Sequence, residues 1–162
     1  MKTPRGMRNN NPLNIRHSTN RWQGMAEEQT DPDFVQFRSM TYGYRAAFKL
    51  LQSYYRRFCK EGKPFTVRNI ISRWAPPQDG NDTENYIRSV LLLGGLGGKE
   101  TLLPPDNPHG YPRMERLVSA MSVMECGTGI TPVDTKIIRE AWRMAFPHIQ
   151  HISESEQLAH FG

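Results

Sequence analysis

The chain has 162 residues, 21 Lys and Arg against 16 Asp and Glu, and a formal net charge of +5 at pH 7. Hydrophobic residues make up 37% and charged residues 23%, the composition of one globular domain able to bury its own core. The longest apolar run, Val90 to Leu93, excludes a membrane-spanning helix, and two cysteines, Cys59 and Cys126, exclude a disulfide framework and a zinc-finger pattern.

The basic balance suits an anionic partner, such as nucleic acid, an acidic wall polymer or a membrane surface, without choosing among them. The basic stretch from Met1 to Asn11 lacks the apolar run of a secretory signal, so the expectation is a cytoplasmic protein or one exported without such a signal. No internal repeat or low-complexity segment occurs.

The first 38 residues are rich in Asn, Gln, Thr and Pro and show no helical period. Leu13–Arg16 and Phe34–Arg38 look extended, so this region reads as an irregular lobe with a small hairpin or two. Helices follow. Tyr44, Ala47, Phe48, Leu51, Tyr55 and Phe58 fall at helical spacing and predict a long helix over Thr41 to Lys60. Thr66 caps a second helix with the face Val67, Ile70, Ile71 and Trp74, which Pro76 and Pro77 stop. Asn81 with Glu84 forms a capping-box pattern for a third, lined by Tyr86, Ile87, Val90 and Leu91. Thr101 to Tyr111 is a loop, and Pro112 opens a fourth helix with the face Met114, Leu117, Val118, Met121 and Met124, closed by Gly127 and Gly129. Thr131, Pro132 and Asp134 start a fifth, with Ile137, Ile138, Ala141, Trp142 and Ala145 buried. The prediction is a mainly α single domain over residues 1–147, with five helices and a small irregular N-terminal lobe, and a polar, fraying tail over 148–162.

Glu125 is the most informative residue. It lies four after Met121 and seven after Val118, so it projects from the apolar face of its helix. It also sits in the last turn, where the helix dipole disfavours a carboxylate. Burial and dipole both raise its pKa, as a general acid requires. The competing reading is a glutamate that leaves the helix end for solvent or pairs with an arginine. The segment RGMRNNNPLNIR (residues 5–16) holds Asn9, Asn10, Asn11, Asn14 and Arg16. These side chains either cap turns or wall a cleft that hydrogen-bonds sugar hydroxyls and acetamido groups. Trp22, beside Gln23 and Gly24, is either a stacking face for a sugar ring or a core anchor, and Trp74 reads as core packing. Glu27, Glu28, Asp31 and Asp33 are second-carboxylate candidates or plain surface charges.

No P-loop, GxGxxG, HExxH or GxSxG spacing occurs, and the five histidines are scattered, although His148 and His151 could share a helix face. Neither a cofactor nor a metal site is expected. Arg45, Lys49, Arg56 and Arg57 on one helix, with Arg68 and Arg73 on the next, leave a nucleic-acid-binding helical domain open as a third reading, without any recognised nucleic-acid motif.

RGMRNNNPLNIR, WQG, QTDPDFVQF, YGYRAAFKLL, RWAPPQDGNDTENYI and MECG occur in that order. This series resembles the lysozyme-like structural (virion) protein family of phages, also found in Bacteroides-type genomes. The resemblance spans Arg5 to Gly127 and extends towards Trp142. A looser similarity links Asn11–Arg16, Trp22–Gly24, Phe34–Phe37 and Tyr44–Leu51 to peptidoglycan glucosaminidases and lytic transglycosylases. In those enzymes a helix ending in a Glu-Ser-Gly-like motif precedes these segments; here Met124–Gly127 resembles that helix end and follows them. The resemblance implies a circularly permuted lysozyme fold with Glu125 in the catalytic acid's place. It further implies Asp31, then Glu28, as second carboxylate, and Asn11, Asn14, Arg16, Trp22 and Gln23 as cleft residues for an anionic wall glycan. The expected function is cleavage of peptidoglycan by a glycosidase or lytic transglycosylase, delivered in a virion or released to the wall. The alternative is a non-catalytic phage or mobile-element structural protein that binds glycan or packs in an assembly.

Overall fold

The computed structural model describes residues 3–127 and 133–149. Six α-helices are present among them: α1 (Arg5–Arg8), α2 (Met40–Glu61), α3 (Val67–Trp74), α4 (Thr83–Gly94), α5 (Tyr111–Cys126) and α6 (Thr135–Ala145). The mainly α expectation holds, and one four-residue helix, α1, adds to the five predicted from the sequence.

Local chemistry explains most boundaries. The Thr66 side chain accepts from the Asn69 N–H and starts α3. Asp82, rather than Asn81, caps α4, accepting from the Asn85 N–H. Asn81 instead donates to the Pro76 carbonyl at 3.1 Å, inside the loop. Pro112 occupies the first turn of α5 one residue behind Tyr111, because a 3-10 turn over Pro108–Gly110 feeds the helix directly. Asp134 caps α6 by accepting from the Lys136 N–H. Gly129, Thr131, Pro132 and the tail beyond residue 149 lie outside the described residues.

The core lies between α2, α5 and α6, with α3 and α4 packed on one side. Phe48, Leu51, Ile70, Ile71, Met114, Leu117, Met121 and Ile138 are fully buried there. Trp142 joins α6 to the 101–110 loop: its ring lies 4.9 Å from that of Tyr111, and its indole N–H donates to the Pro105 carbonyl at 2.8 Å.

In the N-terminal lobe the two extended stretches meet only at isolated antiparallel bridges, Arg16 with Phe34 and Met25 with Phe37, so the expected hairpin does not develop into strands. Side chains replace the missing ladder. Asn11, fully buried, accepts from the Ile15 N–H at 2.9 Å and donates to the Ile15 and Val35 carbonyls at 2.9 and 2.8 Å. Asn10 and Asn14 adopt φ of +52°, which asparagine tolerates better than most residues. Asn11→Ala would strand the Ile15 N–H and the Val35 carbonyl in the interior, so we expect a loss of about 3 kcal/mol in denaturant unfolding.

Candidate functional site

A cleft of ≈ 360 Å³ runs between the N-terminal lobe and the helices, and Glu125 stands in its wall. Asn14, Arg16 and Trp22 line it from the lobe, as does Phe34. Tyr54 from α2 and Trp74 from α3 line the opposite side. Trp74 is therefore not plain core: it is half-buried, with its ring 5.9 Å from that of Tyr54. The cleft offers several aromatic faces beside amide, guanidinium and carboxyl groups, the mixture that a polyhydroxylated ring with apolar faces requires.

Two elements fix Glu125. From the lobe, the Asn14 side-chain amide donates to Glu125 Oε1 at 3.0 Å and to its backbone carbonyl at 3.4 Å. From α4, the Tyr86 hydroxyl donates to Oε2 at 2.8 Å. Both partners are neutral. No described ion pair reaches Glu125, so the competing sequence reading, a glutamate neutralised by arginine, is not what the structure contains. Burial pushes its carboxyl above the usual range, while the hydrogen bonds from Tyr86 and Asn14 and the charge of Arg16 pull the other way and are outweighed.

The docking of lobe onto helix end depends on Gly6. A Cβ there would lie 2.7 Å from Cys126 Sγ, 2.8 Å from the Asn11 carbonyl oxygen and 3.0 Å from Asn14 Oδ1. The Cys126 thiol in turn donates to the Pro12 carbonyl at 3.3 Å.

The other expected site residues fall elsewhere. Asp31 does not line this cleft. Arg5 donates to both its oxygens, from Nε at 2.6 Å and Nη2 at 2.5 Å, and Asn9 and the backbone N–H groups of Asp33 and Phe34 add three more bonds at 2.9 Å. The guanidinium holds the Asp31 carboxyl far below the usual carboxylate range, and the residue closes a turn. Glu28 and Gln23 are exposed and outside the cleft lining, and Asn11 is buried beneath it. The structure thus gathers Glu125, Asn14, Arg16 and Trp22, and leaves Asp31, Asn11 and Gln23 out.

Three groups that sequence reasoning did not single out belong here: Asp79, His17 and Tyr86. Asp79 and His17 line the cleft, and Tyr86 lies beneath it. Asp79 is the carboxylate that shares the cleft with Glu125. Tyr86 was legible only as an apolar face position, although its hydroxyl on a buried face poses the same question as the carboxyl of Glu125.

Of the six basic residues singled out on α2 and α3, four are engaged. Arg57 pairs with Glu61 at 2.8 Å and Arg68 with Glu84 at 2.6 Å. Arg73 lies over the Tyr54 ring, and Lys49 donates to the Ala145 carbonyl at 3.1 Å.

The fold defines a mainly α protein. No protein-family model matches the chain. It is 38% identical over 127 residues to protein P5 of Pseudoalteromonas phage PM2, a match covering 76% of this chain and 72% of that protein. The chain belongs to the family of that phage protein. Among the described residues no helix is long and apolar enough to cross a membrane.

The raised pKa of Glu125 sets a direction for stability. The native state holds its proton to higher pH than the unfolded chain, so stability falls as pH rises from the ordinary glutamate range, about 4.3, through the folded pKa. Glu125→Gln removes that penalty. Its melting temperature should exceed that of the wild type at about pH 8 and converge with it near about pH 4, checked by calorimetry across that range.

Proposed function

We propose that this protein is a peptidoglycan-cleaving enzyme of the phage particle, with Glu125 as its general acid. The observation that carries this is a half-buried carboxyl, whose pKa is raised by desolvation, in the wall of a cleft lined with aromatic and amide side chains. Glu125 would donate its proton to the glycosidic oxygen between two amino sugars. The C1–O bond breaks, and positive charge develops on the ring as an oxocarbenium ion. Trp22, Tyr54 and Trp74 offer faces for the sugar rings, and Arg16 supplies a cation for the carboxylates of the wall polymer.

With Asp31 committed to Arg5, the reading that fits best is a lytic transglycosylase. There the 6-hydroxyl or acetamido group of the substrate completes the reaction, and the Glu125 carboxylate takes back a proton. The permuted lysozyme-like arrangement remains part of this proposal. Asp79 is the competitor for a hydrolytic second carboxylate. The phage kinship equally supports a second reading, a non-catalytic particle protein that holds glycan in the same cleft.

Purified wall material incubated with the wild type should lose turbidity and release muropeptides with anhydro ends. Glu125→Gln should lower the rate at least about a hundredfold with its fold intact, and Asp79→Asn should retain most of it. Reducing ends, together with a comparable loss in Asp79→Asn, would instead make the protein a two-carboxylate hydrolase. Binding without release of any fragment from several wall types would leave the glycan-holding reading.

A further inference from the structure

Tyr86 touches Glu125 from outside the cleft lining. It is 8% exposed and reaches the carboxyl from a helix other than the one that bears it. The segment RWAPPQDGNDTENY (residues 73–86) accounts for its placement. After α3 ends, the Thr83 hydroxyl donates to the Ala75 carbonyl at 2.6 Å, closing the elbow between α3 and α4. Asn81 ties the loop to the Pro76 carbonyl, and Asp82 caps the first turn of α4. Tyr86 comes one turn later, and its hydroxyl meets Oε2 at 2.8 Å while Asn14 meets Oε1 at 3.0 Å. Each carboxyl oxygen is thus held by a donor from a different part of the fold.

We infer that Tyr86 is a positioning residue that, together with Asn14, aims the Glu125 carboxyl at the cleft, and that the Ala75–Thr83 elbow sets where its hydroxyl stands. The inference rests on the reading of Glu125 as the acid. A glutamate side chain has several free torsions, and one donor alone would let the carboxyl swing about the bond that remains. Two donors on opposite oxygens remove that freedom before substrate arrives. They also favour the charged form against the burial that opposes it, so the carboxyl can give up its proton as well as hold it. The charged and titratable groups around it are Tyr86 from α4, Arg16 from the lobe, Cys126 beside it on α5, and His17 and Asp79 along the cleft.

The test is a titration of the full chain labelled with 13C at the glutamate carboxyls, with the Glu125 signal assigned by its loss in Glu125→Gln. In Tyr86→Phe the Glu125 inflection should move to higher pH, because a donor to the carboxylate is gone while the ring still fills its place. Thr83→Val keeps the Tyr86 hydroxyl but removes the Thr83 hydroxyl that closes the elbow, and should move the inflection the same way by less. On wall material Tyr86→Phe should lower kcat roughly tenfold with KM unchanged and shift the alkaline limb of the pH profile upward. An inflection that stays in place in Tyr86→Phe, with melting unchanged, overturns the inference, as does a fall in activity with an unmoved pH profile. If the inflection moves while no wild-type preparation cleaves wall material, the positioning stands and the enzymatic reading falls.

Discussion

The structure turns on the seam where the N-terminal lobe caps the last turn of α5. A helix end leaves carbonyls without intrahelical partners, and these are usually satisfied by the residues just beyond it. Here the partner comes from the far end of the chain: Asn14 donates to the Glu125 carbonyl, and Cys126 donates to that of Pro12. Gly6 allows this approach because no side chain stands between α1 and the end of α5. The same amide of Asn14 then reaches the Glu125 side chain. One contact therefore joins lobe to helix, forms one wall of the cleft and fixes the Glu125 side chain within it.

The lobe can serve as that cap because it solves its own backbone problem with side chains. It has bridges but no ladder among the described residues, so amide groups substitute for strands. Gln29 donates to the Ala26 and Gln36 carbonyls and accepts from the Gln36 N–H, and Gln36 Oε1 accepts from the Thr30 N–H at 2.5 Å. Asp31 gathers two further backbone N–H groups. A carboxamide carries the donor and acceptor of a peptide unit and can stand in for one. This explains how a segment so polar holds its backbone without strands, and why most of its Asn, Gln and Asp residues face inward or along turns rather than into the cleft.

Glu125 sits under opposing influences. Burial at a helix C-terminus resists its charge, and two neutral donors with a nearby cation favour it. A fully apolar pocket would trap the proton, and an adjacent arginine would remove it. The intermediate arrangement suits a group that must both release and recover a proton.

Helical periodicity, proline and glycine stops and short-range caps act within a few residues, so the sequence by itself determined the mainly α class, the approximate span of α2 to α6 and the inward projection of Glu125. Its errors were local too: capping by Asp82 in place of Asn81, and the unpredicted four-residue α1, depend on one hydrogen bond or one turn. What only the tertiary structure decided are the contacts between residues far apart in the chain. Nothing in the local pattern distinguishes Asn14, which faces Glu125 across 111 positions, from Asn11, which is spent on Ile15 and Val35. Asp31 was an equally eligible carboxylate until Arg5 was seen to hold it, and Asp79 and Tyr86 gained their places only when the elbow between α3 and α4 folded against α5. A side chain's type limits what it can bond, but its partner is selected by packing across the whole chain.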